Sequence, residues 1–367
     1  MDRTIGRLFR AVCASESDQI ATRLSAPCWA SARVVRDTVD AAIYHAIVPL
    51  VAEAVLEYHA PKRLKVEVLR AYRSQAAHVL RLEAVLKDVG VVFKAAEVPF
   101  AVFKGAALAH GYYENPLHRC YIDVDLLIRA EDLGRADLLL RDLGCLPSDA
   151  LWEEALSSGY GEILYTTPAG LALDVHWHPI REPAIRRSFS LNTTDLLERA
   201  RSQRLVGTVV PVLDAEDMLV VVCAHACYDG AYRLGWLVDV ARIEQSGQIR
   251  RDVLAERCGG TGLGLSVQVV LDRARRTLGY TVSSAALHGG LWRALTGALS
   301  AVRPVEQSFG QAGRGGVVYC ATRRTSPTSF RALGHLAATE VAKPILTDPE
   351  HRWRRKRELR DRAELGN

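Results

Sequence analysis

The run "CYIDVDLLI", Cys120 to Ile128, sets the strongest constraint on how this chain can fold. Ile122, Val124, Leu126, Leu127 and Ile128 have the composition of a buried strand, yet Asp123 and Asp125 sit among them at alternate positions. In a strand, residues i and i+2 share a face, so the two carboxylates stand together while Ile122, Val124 and Leu126 turn to the core. Burying an unpaired carboxylate is costly enough that something must compensate it. At a strand rise of ~3.3 Å per residue the two Cα atoms lie ~6.6 Å apart. That spacing suits carboxylates leaning onto shared divalent ions, since Mg²⁺ takes oxygen ligands at ~2.1 Å and paired ions sit ~3.5–4 Å apart.

A third carboxylate strengthens the case. "GLALDVHWHP" puts Asp174 in a second apolar strand, with His176 on the same face and Leu173 and Val175 toward the core. Three aspartates on adjacent strands can bind a divalent pair and leave positions for phosphate oxygens, an arrangement that favours phosphoryl or nucleotidyl transfer. Upstream, "VPFAVFKG" reads as a short strand ending at Gly105, followed by the helix-like "AALAHGYY". At such a turn, backbone N–H groups and the Lys104 cation can meet a triphosphate, and Arg119 can add a bidentate contact. Each feature alone has a bland explanation: a strand end near water, a Lys-Gly turn, an aspartate paired with arginine. Their succession on three consecutive elements of one α/β unit is what the bland explanations leave uncovered.

Around this unit the pattern is helical. "SARVVRDTVDAAIYHAIVPLVAEAVLEYHA" and "PKRLKVEVLRAYRSQAAHVLRLEAVLKDVGVVFKAA" carry apolar residues at three- and four-residue steps and predict two long antiparallel helices. "AEDLGRADLLLRDLG" predicts a helix closing on Gly144, and "GEILYTT", "GLALDVHW" and "RLVGTVVPVL" predict strands. From "VLDAEDML", where Asp214 or its neighbour can cap a helix, the chain is expected to be helical to about Ser300. "SFGQAGRGGVVYC" reads as a Gly-rich linker, and the basic run Arg352 to Arg357 as a solvated helix face in preference to an RNA or acidic-partner site. The expectation is an α+β protein, with a small mixed-sheet core over 98–213, helical regions over 1–97 and 214–303, and a linker and charged tail over 304–367.

At this point a resemblance emerges. "FKGAAL" followed by Arg119-Cys-Tyr-Ile-Asp123-Val-Asp125-Leu-Leu-Ile resembles the Lys-Gly, Arg-x-x-x-Asp-Ile-Asp-Leu-Leu-Val signature of the uncharacterised nucleotidyltransferases of the DNA polymerase beta-like superfamily. "LDVHW" is similar to that family's Asp-x-His-Trp strand, and "EDMLVVVCAHACYDGAYRLGWLVDVARI" to its helical region. The resemblance spans roughly Leu80 to Gly279. It implies that Asp123, Asp125 and Asp174 are catalytic metal ligands for Mg²⁺ or Mn²⁺, with Asp174 also accepting a proton from the attacking hydroxyl. It implies too that Lys104, Gly105, Arg119 and His176 serve the nucleoside triphosphate. His225 and Asp239 match retained positions, read here as polar groups that tie the helical region to the core. The superfamily's usual Gly-Ser is here Gly105-Ala106, which removes a hydroxyl, and the interval from Gly105 to Asp123 is long. Family members often accompany natural-product genes, including those for lasso peptides. That association implies a bacterial tailoring role on a small-molecule or peptide acceptor.

The remaining composition narrows the class. With 49% hydrophobic and 24% charged residues, the 367-residue chain has the balance of a folded globular protein. Its net charge of +5 is too modest to argue for a nucleic-acid partner. The N-terminal stretch lacks the apolar segment of a secretory signal and no run is long enough to span a membrane, so a cytoplasmic location is expected. Eight cysteines without a Cys-x-x-Cys pair read as reduced thiols, and Cys223, His225 and Cys227 as buried helix residues in preference to a zinc site. Two other functions stay open. An Asp-x-Asp glycosyltransferase would normally show a larger nucleotide-binding α/β domain before the pair. A catalytically inactive nucleotide- or peptide-binding protein of the same fold is favoured by the missing Gly-Ser and disfavoured by the three aspartates.

Overall fold

The computed structural model describes residues 3–147, 152–157, 159–181, 183–186, 189–205, 207–228, 231–282 and 287. Five helices precede the first strand: α1 (Arg3–Cys13), α2 (Ser17–Leu24), α3 (Ala32–Tyr44), α4 (Val48–Glu57) and α5 (Lys62–Ala95). The central part runs β1 (Phe100–Val102), α6 (Gly105–Tyr112), β2 (Asp123–Ile128), α7 (Leu133–Asp142), β3 (Leu146–Pro147), α8 (Trp152–Ser157), β4 (Glu162–Thr166), β5 (Ala172–His176), α9 (Pro183–Arg186), α10 (Thr193–Glu198), β6 (Arg201–Leu205) and β7 (Thr208–Val212). Helices α11 (Ala215–Tyr228), α12 (Leu234–Gln245), α13 (Arg251–Thr261) and α14 (Gly264–Leu278) follow. The expected Gly-rich linker and basic tail lie outside the described residues, as does the end of the helical region beyond 282.

Among the described residues the strands form one mixed sheet in the order β3-β4-β5-β2-β1-β7-β6. Strands β2 and β5 are parallel, as are β1 and β7, while the other neighbours are antiparallel. The fold is thus α+β, a mixed sheet with helices on either side of it in the chain. The middle strands are covered on both faces: Leu126, Leu127, Leu173 and Val175 are all fully buried. The 34-residue α5 crosses the sheet, with Phe93 packed edge-on against Phe100 of β1 at 5.6 Å. Gly90 leaves room on the same helix for a methyl group of Val210. None of the described helices is long and apolar enough to cross a membrane.

Two local expectations change. The first long helix is two helices, α3 and α4, broken where Ala46 takes φ 55° and Pro49 enters the first turn of α4. The break serves α12: the buried His45 accepts the Leu234 N–H on Nδ1 at 3.3 Å and the Gly235 N–H on its carbonyl at 2.8 Å. It therefore caps from another part of the chain a helix whose own N-cap, Arg233, makes no side-chain cap bond. The segment "RLVGTVVPVL" is a hairpin turning near Gly207, φ 76°, and its first strand was hidden by the polar, largely exposed run Arg201–Arg204. Within the helical region expected over 1–97, α1 is an amphipathic helix burying Ile5, Leu8, Phe9 and Val12. Asp214, by contrast, caps α11 as expected, accepting the Asp217 N–H at 2.8 Å. Gly144 takes φ 76° just past α7.

The His45 corner predicts two effects, and an uncrowded glycine of α13 a third. A Cβ on Gly235 would stand 2.8 Å from the His45 carbonyl oxygen, so Gly235→Ala should destabilise by ~1–3 kcal/mol in urea unfolding. Gly259→Ala, with nothing within 4 Å inside α13, should stabilise by ~0.5–1 kcal/mol. The His45 pKa is pulled down to about 3, by burial first and then by the charge of Arg233. Below the ordinary value near 6.5 the unfolded chain takes up a proton that the fold refuses. Stability should be full above pH 6.5 and fall toward pH 3, at up to ~1.4 kcal/mol per unit from this residue. In His45→Asn, whose Oδ1 can still accept from Leu234, denaturation across this range should show a shallower slope.

Candidate active site

Strand register brings the acidic residues together. In the parallel pair β2·β5, Asp125 lies opposite Asp174 and Asp123 opposite Ala172; in the antiparallel pair β4·β5, Glu162 lies opposite His176. Because alternate residues share a face, Asp123, Asp125, Asp174, His176 and Glu162 all project from one side of the sheet. Asp125, Asp174 and His176 are only 5%, 3% and 2% exposed, whereas Asp123, at the start of β2, is half-buried.

The charge of Asp125 is met directly. Lys104 Nζ stands 2.8 Å from Asp125 Oδ1, and His176 Nε2 stands 3.0 Å from the same oxygen. Burial alone would lower the pKa of the Lys104 ammonium; the charge and hydrogen bond of Asp125, helped by Asp123 and Glu162, reverse that and hold it above the ordinary lysine value. The backbone is drawn into the same contact. Lys104 is the N-cap of α6 with φ 60° and ψ −139°, a conformation that costs a non-glycine residue ~1–3 kcal/mol. Its ion pair holds it there. Behind the imidazole, Glu162 Oε2 lies 3.3 Å from His176 Nδ1, close enough to pair but not aligned as a hydrogen bond, and Arg181 reaches the other Glu162 oxygen at 3.5 Å.

One ligand atom each from Asp125, Asp174 and His176 lies within 4.8 Å of the others, and among the described residues this is the group able to hold a metal ion. The donor set fits a divalent cation: two carboxylates and an imidazole, buried together and fixed on neighbouring strands. Asp123 stands outside that group.

Residues 32–279 match the family described as uncharacterised nucleotidyltransferase. The chain belongs to that family. No curated protein matches it. Among solved structures, the solution structure of the antibiotic-resistance factor ANT(2'')-Ia is similar over 48% of this chain and 89% of that one, with 13% identity and a TM-score of 0.33. That likeness is too slight to bear on the site.

The other expected site residues of this nucleotidyltransferase are placed as follows. Gly105, φ 23°, opens α6, and a Cβ there would stand 3.5 Å from both the Asp123 carbonyl and the Tyr121 ring. Arg119 turns its donors into the protein: Nε and Nη2 make a bidentate pair with Asp239 at 2.8 and 2.9 Å, and Nη1 donates to the Gly105 carbonyl at 3.0 Å. Tyr113 also donates to Asp239, at 2.7 Å. The long interval between Gly105 and Asp123 is what carries Arg119 to this position, by way of the turn Pro116–His118. Asp239 thus ties α12 to the start of α6. His225 on α11 packs edge-on against Trp236 at 5.4 Å and is held neutral, its pKa lowered to about 3 by burial and then by Lys104. Cys223 and Cys227 are buried and form no disulfide.

Sequence reading did not single out Glu162. Its signal was the strand "GEILYTT", which, paired antiparallel with "GLALDVHW", sets Glu162 against His176. Replacing Lys104 by Met should cost ~3–5 kcal/mol, because it leaves Asp125 buried without its cation. Adding Asp125→Asn should recover much of that loss, and a double-mutant cycle in urea reads the coupling directly.

Proposed function

We propose that this protein is a divalent-metal-dependent nucleotidyltransferase that moves a nucleoside monophosphate from an NTP to an acceptor hydroxyl or phosphate and releases pyrophosphate. The observation that carries the reading is the meeting of Asp125, Asp174 and Lys104 where β1 gives way to α6. Family membership supports the reaction class. Asp125 and Asp174 would hold the metal, Mg²⁺ or Mn²⁺, with Asp123 at the open end of β2 as a further ligand. The bound ion would neutralise phosphate charge and orient the reacting oxygens.

The chain's own residues supply the rest. The first turn of α6 presents N–H groups that its own helix cannot satisfy, and they suit phosphate oxygens in place of the missing serine hydroxyl. Lys104 adds a cation at the same end. Arg119, pinned by Asp239, fixes the Gly105 carbonyl and with it the direction of that turn. Asp174 is the candidate to take the acceptor proton, and burial of the site excludes competing water. The acceptor, a small molecule or peptide, would meet the site from the side of α11 and α12, where His225 and Trp236 lie.

Pyrophosphate release from each of the four NTPs with Mg²⁺ or Mn²⁺, in the presence of candidate acceptors, tests the proposal. Asp125→Asn and Asp174→Asn should each lower turnover by at least ~10²-fold, the scale of a lost charge-stabilising group, measured on protein whose circular dichroism shows the native fold. Wild-type turnover by either variant would sink the assignment.

A further inference from the structure

Building on the nucleotidyltransferase reading, we propose that His176 is itself a metal ligand, backed by Glu162, and that this nitrogen donor makes the site select transition-metal ions such as Mn²⁺ over Mg²⁺. Three observations converge. His176 is 2% exposed in the interior strand β5, with one ring nitrogen grouped with a carboxylate oxygen from each of Asp125 and Asp174. The 3.0 Å between His176 Nε2 and Asp125 Oδ1 matches the ~3.0 Å separation of two neighbouring ligands on an octahedral ion with bonds of ~2.1 Å. On the far side of the ring Glu162, its side chain 9% exposed, faces Nδ1 at 3.3 Å.

A metal-bound histidine commonly turns its second ring nitrogen to a carboxylate, which fixes the tautomer and strengthens the bond to the ion. Glu162 occupies that place by strand register rather than by a loop, and Phe103, edge-on to the imidazole at 4.9 Å, restrains the ring from the side. Nε2 can donate to Asp125 Oδ1 at 3.0 Å, and moving the ring proton to Nδ1, on the Glu162 side, would turn the Nε2 lone pair to an ion. Oxygen-only sites suit Mg²⁺; an imidazole nitrogen moves preference toward transition ions. The Mg²⁺ expected from the Asp-x-Asp pattern thus becomes the weaker of two candidate ions. Glu162 is a positioning residue, acting through His176.

The test uses full-length protein and Mn²⁺ alone. Pulsed electron paramagnetic resonance of the Mn²⁺-loaded wild type should show nitrogen hyperfine coupling that changes isotope when the histidines are ¹⁵N-labelled. Calorimetric titrations should show His176→Gln, which makes the site all-oxygen, losing Mn²⁺ affinity by at least ~10-fold while Mg²⁺ affinity changes far less. Glu162→Gln should weaken Mn²⁺ by ~10–100-fold with the coupling reduced, a readout that simple loss of packing would not give. Bound Mn²⁺ without histidine coupling, no Mn²⁺ binding, or an unchanged Mn²⁺:Mg²⁺ ratio in His176→Gln would overturn the proposal. The spectrum of the wild type needs no variant to fold. Pyrophosphate release without histidine coupling would remove this inference and leave the reaction class standing; histidine coupling with all four NTPs and acceptors silent would do the reverse.

Discussion

One oxygen atom, Oδ1 of Asp125, organises the centre of this protein. It lies in a strand buried on both faces, receives the Lys104 ammonium, and touches the His176 imidazole. In water such an ion pair is worth little, but in a buried site neither partner can be removed without stranding the other. The consequence spreads through the backbone. Lys104 pairs with the carboxylate from a glycine-like conformation, and the same residue is the N-cap of α6.

The helical regions complete the arrangement through a second series of polar contacts. His45, at the corner between α3 and α4, caps α12; α12 carries Asp239; Asp239 grips Arg119; and Arg119 donates to the Gly105 carbonyl. The α3–α4 corner, α12 and Arg119 are thereby joined in one series that ends at the turn before α6. Further along α12, Glu244 is fully buried and receives Arg251, Arg275 and Tyr280, so the C-terminal helices are locked to that helix from their other end. Neutral His45 and His225 belong to this design: each sits beside an arginine or lysine, where a charged imidazole would add like charge to a desolvated site.

Much of this was legible because period-2 and period-3.6 patterns are local. The aspartates of "CYIDVDLLI" and "GLALDVHW" could be assigned to one face from alternation alone, and the cap at Asp214 from its residue type. What stayed hidden was non-local. The break at Ala46 had a local sign in Pro49, which suits a helix start, but the contact of His45 with Leu234 and Gly235, almost two hundred positions away, had none. Strand β6 is an exposed edge whose polar residues lack the apolar signal of a strand. Arg119 looked like a phosphate contact because an arginine beside an Asp-x-Asp pair can always be read that way; its bidentate partner lies on a distant helix. Glu162 escaped because a single carboxylate at a strand end acquires meaning only when register sets it against His176. The opening puzzle, what compensates Asp125, had an answer one strand away in Lys104.

The same contact bears on how a nucleotide would enter. On the proposed reading, Asp123, Asp125, Asp174 and Glu162 face one ammonium on the same side of the sheet, with Arg181 reaching only Glu162 from a partly exposed position. A triphosphate arriving without a cation would meet net negative charge in a poorly hydrated site, where such repulsion is far stronger than in water. A cation arriving first would compete with Lys104 for Asp125, and each lowers the need for the other. A metal held by Asp125 would supply the charge that Lys104 now supplies, and would leave Lys104 available at the start of α6 to a phosphate. Lys104 would then have two successive partners, the carboxylate in the empty site and the triphosphate in the loaded one.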